Sequence, residues 1–240
     1  MSAELQVMSI FPSPLGICNF GEESRDLNKQ LIEDIKTERK LDKEGEKRTF
    51  SVIEGTWQSR TDLETRYSSF DLLKDAILAA LMKTLPQTGY ANEYINDKHL
   101  NMGGLWANVI FKKGGFSIPH IHGTGITLWS GVYYPAGYDD PKNLDDFNIN
   151  DVMLAKANAM EDGWLGIIDP AKVQKNQCRP YDKYVEVYPY YGCNLFVKPR
   201  EGLLVLFPAW LEHWVTPTTT DKKRYSISFQ LNKKPLVKGE

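Results

Sequence analysis

Hydrophobic residues recur at two different periods along this chain, and the change falls near Leu100. Before it the spacing is helical. Leu27, Leu31, Ile32 and Ile35 fall on one face of the charge-rich segment 24–47, which predicts a helix with a solvated side. Its tail, 40–48, is too polar to bury and reads as a loop. Phe70, Leu73, Ile77, Ala80 and Leu81 form a second stripe, with Ser68 or Ser69 placed to cap the first turn and Pro86 beyond the end. A short apolar segment at 5–11, stopped by Pro12 and Pro14, predicts a strand.

After Leu100 the texture is that of strands. Segments 105–112, 126–134, 203–207 and 224–231 are rich in β-branched and aromatic residues, with Gly, Pro, Asn and Asp between them. Val205 and its neighbours are apolar on both strand faces, as in a strand packed in the middle of a sandwich or barrel. The last segment alternates cleanly. Arg224, Ser226, Ser228 and Gln230 take one face, and Tyr225, Ile227, Phe229 and Leu231 the other. Between 139 and 162 lies an acidic, polar insertion, in which 152–160 reads as a short helix and the whole as a lid or peripheral element. No internal repeat is visible. The expected fold is mainly β with N-terminal helices: a helical part at 1–100 packed on a jelly roll at 101–240, in one domain.

Bulk properties narrow the function classes. A chain of 240 residues with 42% hydrophobic content can bury a sizeable core. A formal net charge of -2 gives no electrostatic case for nucleic acid or an anionic membrane as partner. Cys18, Cys178 and Cys193 lack zinc-type spacing and suit a reducing compartment. The N-terminus lacks the pattern of a signal peptide, and no apolar run approaches the roughly 20 residues that span a bilayer. A cytoplasmic protein acting on a small-molecule or peptide substrate is expected, and a homodimer is compatible with this composition.

Candidate chemistry lies in the histidines. The chain has four, and three fall in two places: His120 and His122, two apart, and His213, eleven residues before Arg224. Strand residues two apart project to the same side, so His120 and His122 can converge on one metal ion. Alone, the pair is a weak signal and reads more readily as two polar strand residues. His213 leaves an apolar strand through a proline turn among Trp210, Trp214 and Val215, a partly dry setting that suits a ligand or a hydrogen-bonded core histidine. Glu212 points opposite to His213 and is not expected to ligate. His99, in a polar run, reads as a surface residue. The polar face of the last strand is either solvent-exposed or turned inward, where Arg224 could grip a carboxylate through paired charge-assisted hydrogen bonds and Ser226 could donate another.

Four segments together resemble the iron(II)- and 2-oxoglutarate-dependent oxygenases, closest to a branch found in marine bacteria and phages. They are Ile10-Phe11-Pro12-Ser13-Pro14-Leu15; Gly55-Thr56-Trp57-Gln58-Ser59-Arg60-Thr61-Asp62-Leu63; Trp106-Ala107-Asn108 through His120-Ile121-His122 to Ser130-Gly131-Val132-Tyr133-Tyr134; and Leu204-Val205-Leu206-Phe207-Pro208 through His213 to Arg224-Tyr225-Ser226-Ile227-Ser228-Phe229. The resemblance implies a double-stranded β-helix with Fe(II) at its mouth and 2-oxoglutarate as cosubstrate. It implies His120 and His213 as metal ligands, Arg224 and Ser226 as the grip on the far carboxylate, and Asn108 as a further cosubstrate contact. It also implies hydroxylation of a substrate, with succinate and CO2 as coproducts. The chain departs from the common superfamily pattern at His122, where an Asp or Glu would stand. Three-histidine ligation by His120, His122 and His213 is the expected outcome; the alternative leaves His122 off the metal and opens a position for water or halide.

Two other readings compete. A cupin-type metal enzyme without 2-oxoglutarate would use the same histidines, but no glutamate follows the pair between Thr124 and Leu128, and a cupin does not need Arg224 and Ser226. A non-catalytic jelly-roll binding module would hold a sugar or peptide on Trp129, Tyr133, Trp210 and Trp214.

Overall fold

A computed structural model describes residues 13–49, 55–88, 100–123, 125–138, 140–156, 162–171 and 194–234. The expected strand at 5–11, His99, Cys178 and Cys193 lie outside the described residues.

Both helices form where the periodicity places them. In α1 (Arg25–Leu41) the buried positions are Asn28, Leu31, Ile35 and Glu38, a stripe at spacings of three and four. Glu38 is buried because it is paired: Arg66 forms a salt bridge to it and the Tyr67 hydroxyl donates to Oε2 at 2.9 Å. The helix therefore runs to Leu41, and residues Lys43–Lys47 form a tight 3-10 turn where a loop is expected from the polarity. Packing holds that turn. Gly45 lies against the Trp57 indole, where a Cβ would come within 2.0 Å of Nε1, and Trp57 Nε1 donates to Asp42 O at 2.8 Å. In α2 (Ser68–Thr84), Phe70, Leu73, Ile77 and Leu81 are buried as predicted. Neither serine caps it. The residue before the helix is Tyr67, and the Ser69 hydroxyl instead donates to Asp34 Oδ2 at 2.5 Å, which ties α2 to α1.

Eleven strands among the described residues form two antiparallel sheets. They are β1 (Gly16–Asn19), β2 (Thr56–Gln58), β3 (Leu100–Ile110), β4 (Ser117–His120), β5 (Thr127–Tyr134), β6 (Met153–Lys156), β7 (Leu165–Ile167), β8 (Asn194–Val197), β9 (Leu203–Pro208), β10 (His213–Val215) and β11 (Arg224–Lys233). The larger sheet has the order β1-β9-β5-β11-β3-β2 and the smaller β4-β10-β7-β8-β6. The larger sheet is apolar on both sides because each side meets a different layer. Leu204, Leu206, Tyr133, Ile227 and Phe229 pack with Leu31, Ile35, Phe70 and Ile77 of the helices. Val132, Tyr134, Val205 and Phe207 pack with Leu165, Ile167, Leu195 and Val197 of the smaller sheet. Val205, paired through β9 with β1 on one side and β5 on the other, occupies the interior position expected of it.

Among the described residues, the acidic insertion contributes to core packing. Its residues 153–156 are strand β6, paired with β8, where the sequence reads as helix. The short apolar run is met by an open strand edge, and that pairing overrides local preference. Leu144 and Val152 are buried at 0% and 2% exposure. Asp145 accepts from Glu22 N at 2.9 Å, and the Arg200 guanidinium donates to the backbone carbonyl of Asp146 at 2.5 Å, which ties this segment to Glu22 and Arg200. Leu144→Ala is expected to cost about 2–5 kcal/mol of stability, as for other large-to-small core changes. Urea denaturation checks it, and a loss within a few tenths of a kcal/mol would restore the peripheral reading.

Candidate active site

The three histidines come together at the β4–β10 ladder and the turn after β9. His120 ends β4 and is paired across to His213, which begins β10. β4 is the outer strand of its sheet, which tolerates Pro119. His122 lies two residues past the strand end, so its position does not follow from strand alternation. Its backbone N–H donates instead to Ala209 O at 2.9 Å, which ties it to the turn after β9. The ring centroids are 5.1 Å apart for His120 and His122, 4.4 Å for His120 and His213, and 5.0 Å for His122 and His213. One nitrogen from each ring lies within 4.8 Å of the others, so the three could hold one metal ion.

Hydrogen bonds at the rear of the rings decide which nitrogens face inward. His120 Nδ1 lies 2.8 Å from Ile118 O and His213 Nδ1 lies 2.9 Å from Leu211 O. A carbonyl only accepts, so each Nδ1 carries the hydrogen and the lone pair that could ligate is on Nε2. Among the described residues no backbone carbonyl takes this role for His122. Its Nδ1 faces the side-chain amide of Gln230 at 2.8 Å. In this arrangement the amide Nε2 lies beside the ring and donates to Nδ1, which places the ring hydrogen on Nε2; ligation through Nε2 requires the amide turned over, with Oε1 accepting from Nδ1–H. Burial, then the neighbouring His120, pushes the His122 imidazole down to about 4 and that of His213 to about 3. Both rings are therefore neutral near pH 7, as ligation requires. Phe207 packs on His213 with ring centroids 4.6 Å apart, and Trp106 meets His122 edge-on at 6.0 Å, which limits access of water.

Gln230 is a residue that sequence reading placed on the polar face of the last strand without giving it a role. The signal was present in the alternation of β11, but the partner, 108 positions away, was not. Gln230→Leu is expected to weaken metal binding by about 10- to 100-fold, the usual effect of losing an outer hydrogen-bond partner of a ligand. Iron(II) or cobalt(II) titration calorimetry reads it; unchanged affinity would show that the ring is held by packing alone.

Arg224 and Ser226 are buried at 4% and 2% exposure, which excludes a solvent-facing strand. The guanidinium donates from Nε to Gly163 O at 2.8 Å, from Nη1 to Ser226 Oγ at 2.8 Å and from Nη2 to the Tyr134 hydroxyl at 3.2 Å. Among the described residues no carboxylate pairs with it. A buried cation without a counter-ion is costly unless an anion completes the site. Asn108 faces Ser226 across the β3–β11 pairing and donates to Ser228 Oγ at 3.0 Å. Arg224, Ser226, Asn108 and the three histidines line one cavity of about 100 Å3. The donor set thus fits a metal at one end and a small dianion at the other.

The aromatic residues do not form a binding platform. Trp129 and Tyr133 are buried in the core between helices and sheet, and the Tyr133 hydroxyl donates to Asn28 Oδ1 at 2.6 Å. Trp210 is exposed, while the Trp214 indole covers Gly166. Glu212 is exposed beside the buried His213. Among the described residues no helix is long and apolar enough to cross a membrane.

Solved structures share this fold over nearly the whole chain. A prolyl-4-hydroxylase from Pseudomonas putida superposes with a TM-score of 0.54 at 15% identity, covering 92% of this chain and 93% of that one. The epimerase SnoN, crystallised with Fe3+, alpha ketoglutarate and nogalamycin RO, gives 0.57 at 12% identity, covering 92% and 79%. HygX from Streptomyces hygroscopicus, crystallised with nickel, 2-oxoglutarate and hygromycin B, gives 0.51 at 13% identity, covering 92% and 83%. At these identities the likeness concerns the fold, the double-stranded β-helix arrangement of these oxygenases. No curated protein matches the sequence. Residues 104–230 match the family described as "Putative 2OG-Fe(II) oxygenase", a stretch that contains His120, His122, His213, Arg224 and Ser226. That stretch is more than half of the chain, and the protein accordingly belongs to this family of oxygenases, with iron(II) and 2-oxoglutarate as cofactors.

Proposed function

We propose that the protein is a hydroxylase in which His120, His122 and His213 hold iron(II), and Arg224 with Ser226 holds the distal carboxylate of 2-oxoglutarate. The observation that carries this reading is the buried guanidinium of Arg224, which has no carboxylate partner among the described residues and shares one cavity with the histidines. Its remaining N–H groups and the Ser226 hydroxyl present donors to an anion in a setting from which water is largely removed. Asn108, beside Ser226, is a further candidate contact to the cosubstrate. A cupin-type enzyme would not require this cation.

Bound at these residues, iron(II) and 2-oxoglutarate would supply oxygen activation, with succinate and CO2 as the coproducts of hydroxylation. The chain's part is placement. The Nδ1 hydrogen bonds of His120 and His213 fix ring direction, the Gln230 contact at Nδ1 holds that of His122, and Phe207 and Trp106 pack against His213 and His122. The substrate is a small molecule or peptide that reaches the histidine end of the cavity.

Anaerobic addition of iron(II) followed by 2-oxoglutarate should raise a visible charge-transfer band, with other 2-oxo acids weaker in proportion to their loss of the second carboxylate. In air, slow succinate formation should follow. No band and no succinate in metal-loaded, folded protein would overturn the assignment.

A further inference from the structure

A second cavity lies on the helix side of the larger sheet. Its volume is about 270 Å3, and Lys36, Arg39, Lys40, Lys43 and Lys223 line it, with Glu46 the single carboxylate. Five cations around one opening stand out in a chain of net charge -2. Lys36 is paired with Glu33 at 2.6 Å. Among the described residues, Arg39, Lys40, Lys43 and Lys223 have no carboxylate partner; the Arg39 guanidinium is held 3.7 Å from the centre of the Phe111 ring. The chain keeps these charges together from two directions. Residues 36–43 run from the end of α1 into the tight turn seated on Trp57, and Lys223 enters from the start of β11. Clustered like charges repel and gain from a shared counter-ion, and lysine ammonium groups are point charges suited to phosphate.

This cavity is separate from the one that holds the histidines. Alternation along β11 sends Arg224 and Ser226 into the catalytic cavity and Tyr225 into the basic one. Trp57 borders both and forms part of the wall between them. We infer that the basic cavity binds a small organic polyanion carrying two or more phosphate-type groups, independently of 2-oxoglutarate. Its limited volume favours a small molecule over a nucleic acid, whose backbone would need a charged track rather than one pocket.

The test is titration calorimetry of the iron-loaded protein, saturated with 2-oxoglutarate under anaerobic conditions, using fructose 1,6-bisphosphate as probe. Saturable one-to-one binding is expected, weakening with added salt. The triple variant Lys40→Gln, Lys43→Gln, Lys223→Gln should bind the probe at least tenfold more weakly and keep the 2-oxoglutarate charge-transfer band. Arg224→Ala should lose the 2-oxoglutarate response and keep probe binding, so failure of this site and failure of the hydroxylase reading are told apart. Non-saturable binding, equal affinity in the triple variant, or loss of binding in Arg224→Ala would each overturn the inference. A short single-stranded DNA that binds more tightly than the bisphosphate and loses affinity in the triple variant would replace it with a nucleic-acid surface.

Discussion

His213→Ala is expected to abolish stoichiometric iron binding. His213 is the most enclosed of the three, at 6% exposure, and it is paired with His120 across the β4–β10 ladder, so no neighbouring side chain can take its place. Loss of a ligand should exceed the roughly 10- to 100-fold effect of losing an outer partner such as Gln230. His122→Ala should act in the same direction and also stop coupled succinate formation. His122→Asp would recreate the two-histidine, one-carboxylate set, although the shorter side chain loses the Gln230 contact. Metal content after anaerobic loading and desalting measures all three. A metal-bound structure with the His122 ring turned away, and water or halide in its place, would refute three-histidine ligation and make halogenation worth assaying. The alanine variants should fold, because an uncharged buried imidazole is being removed rather than an ion; circular dichroism distinguishes misfolding from simple loss of metal.

Arg224→Ala should weaken 2-oxoglutarate binding by about 2–5 kcal/mol, the range for truncating one partner of a buried hydrogen-bonded charge pair. The low end is already about 30-fold in dissociation constant. Iron affinity should persist, since the guanidinium bonds Gly163 O, Ser226 and Tyr134 and none of the histidines. Arg224→Lys separates charge from geometry: it keeps the cation but loses the fork that reaches three partners at once, so it should recover only part of the affinity. The readout is the charge-transfer band as a function of 2-oxoglutarate concentration. Equal affinity in wild type and Arg224→Ala would show that the carboxylate is held elsewhere and remove the main support for the hydroxylase assignment.

The family match and the folded site bear differently on what could be read from residues alone. The helical stripes of α1 and α2 and the cores of β3, β5, β9 and β11 were legible because each element buries a continuous face, and burial writes a period into the sequence. β6, β7, β8 and β10 were not. Each is three or four residues long, and β10 consists of His213, Trp214 and Val215, too few to show alternation. They exist as strands because a neighbour offers an open ladder. Lys40 and Leu41 were read as loop but end the helix, because the buried Glu38 looks like a solvated residue until Arg66 and Tyr67, 28 and 29 positions away, are seen to pair with it.

The inward face of β11 and the identity of the histidines were available from the sequence as alternatives, through alternation and residue type. Only the tertiary structure decided between them. It packed Ile227 and Phe229 with the helices and enclosed Arg224 and Ser226 in a cavity also lined by Leu165 and Val215, and it carried His122 past the end of β4 to the turn at Ala209, where alternation no longer applies. It also supplied Gln230 as the partner of His122 and gathered Lys36 to Lys43 with Lys223 around one opening. Local sequence determines which face of an element is apolar, because that depends on spacing along a few turns. What a polar face meets depends on contacts between segments a hundred or more residues apart, and those are set only when the layers pack.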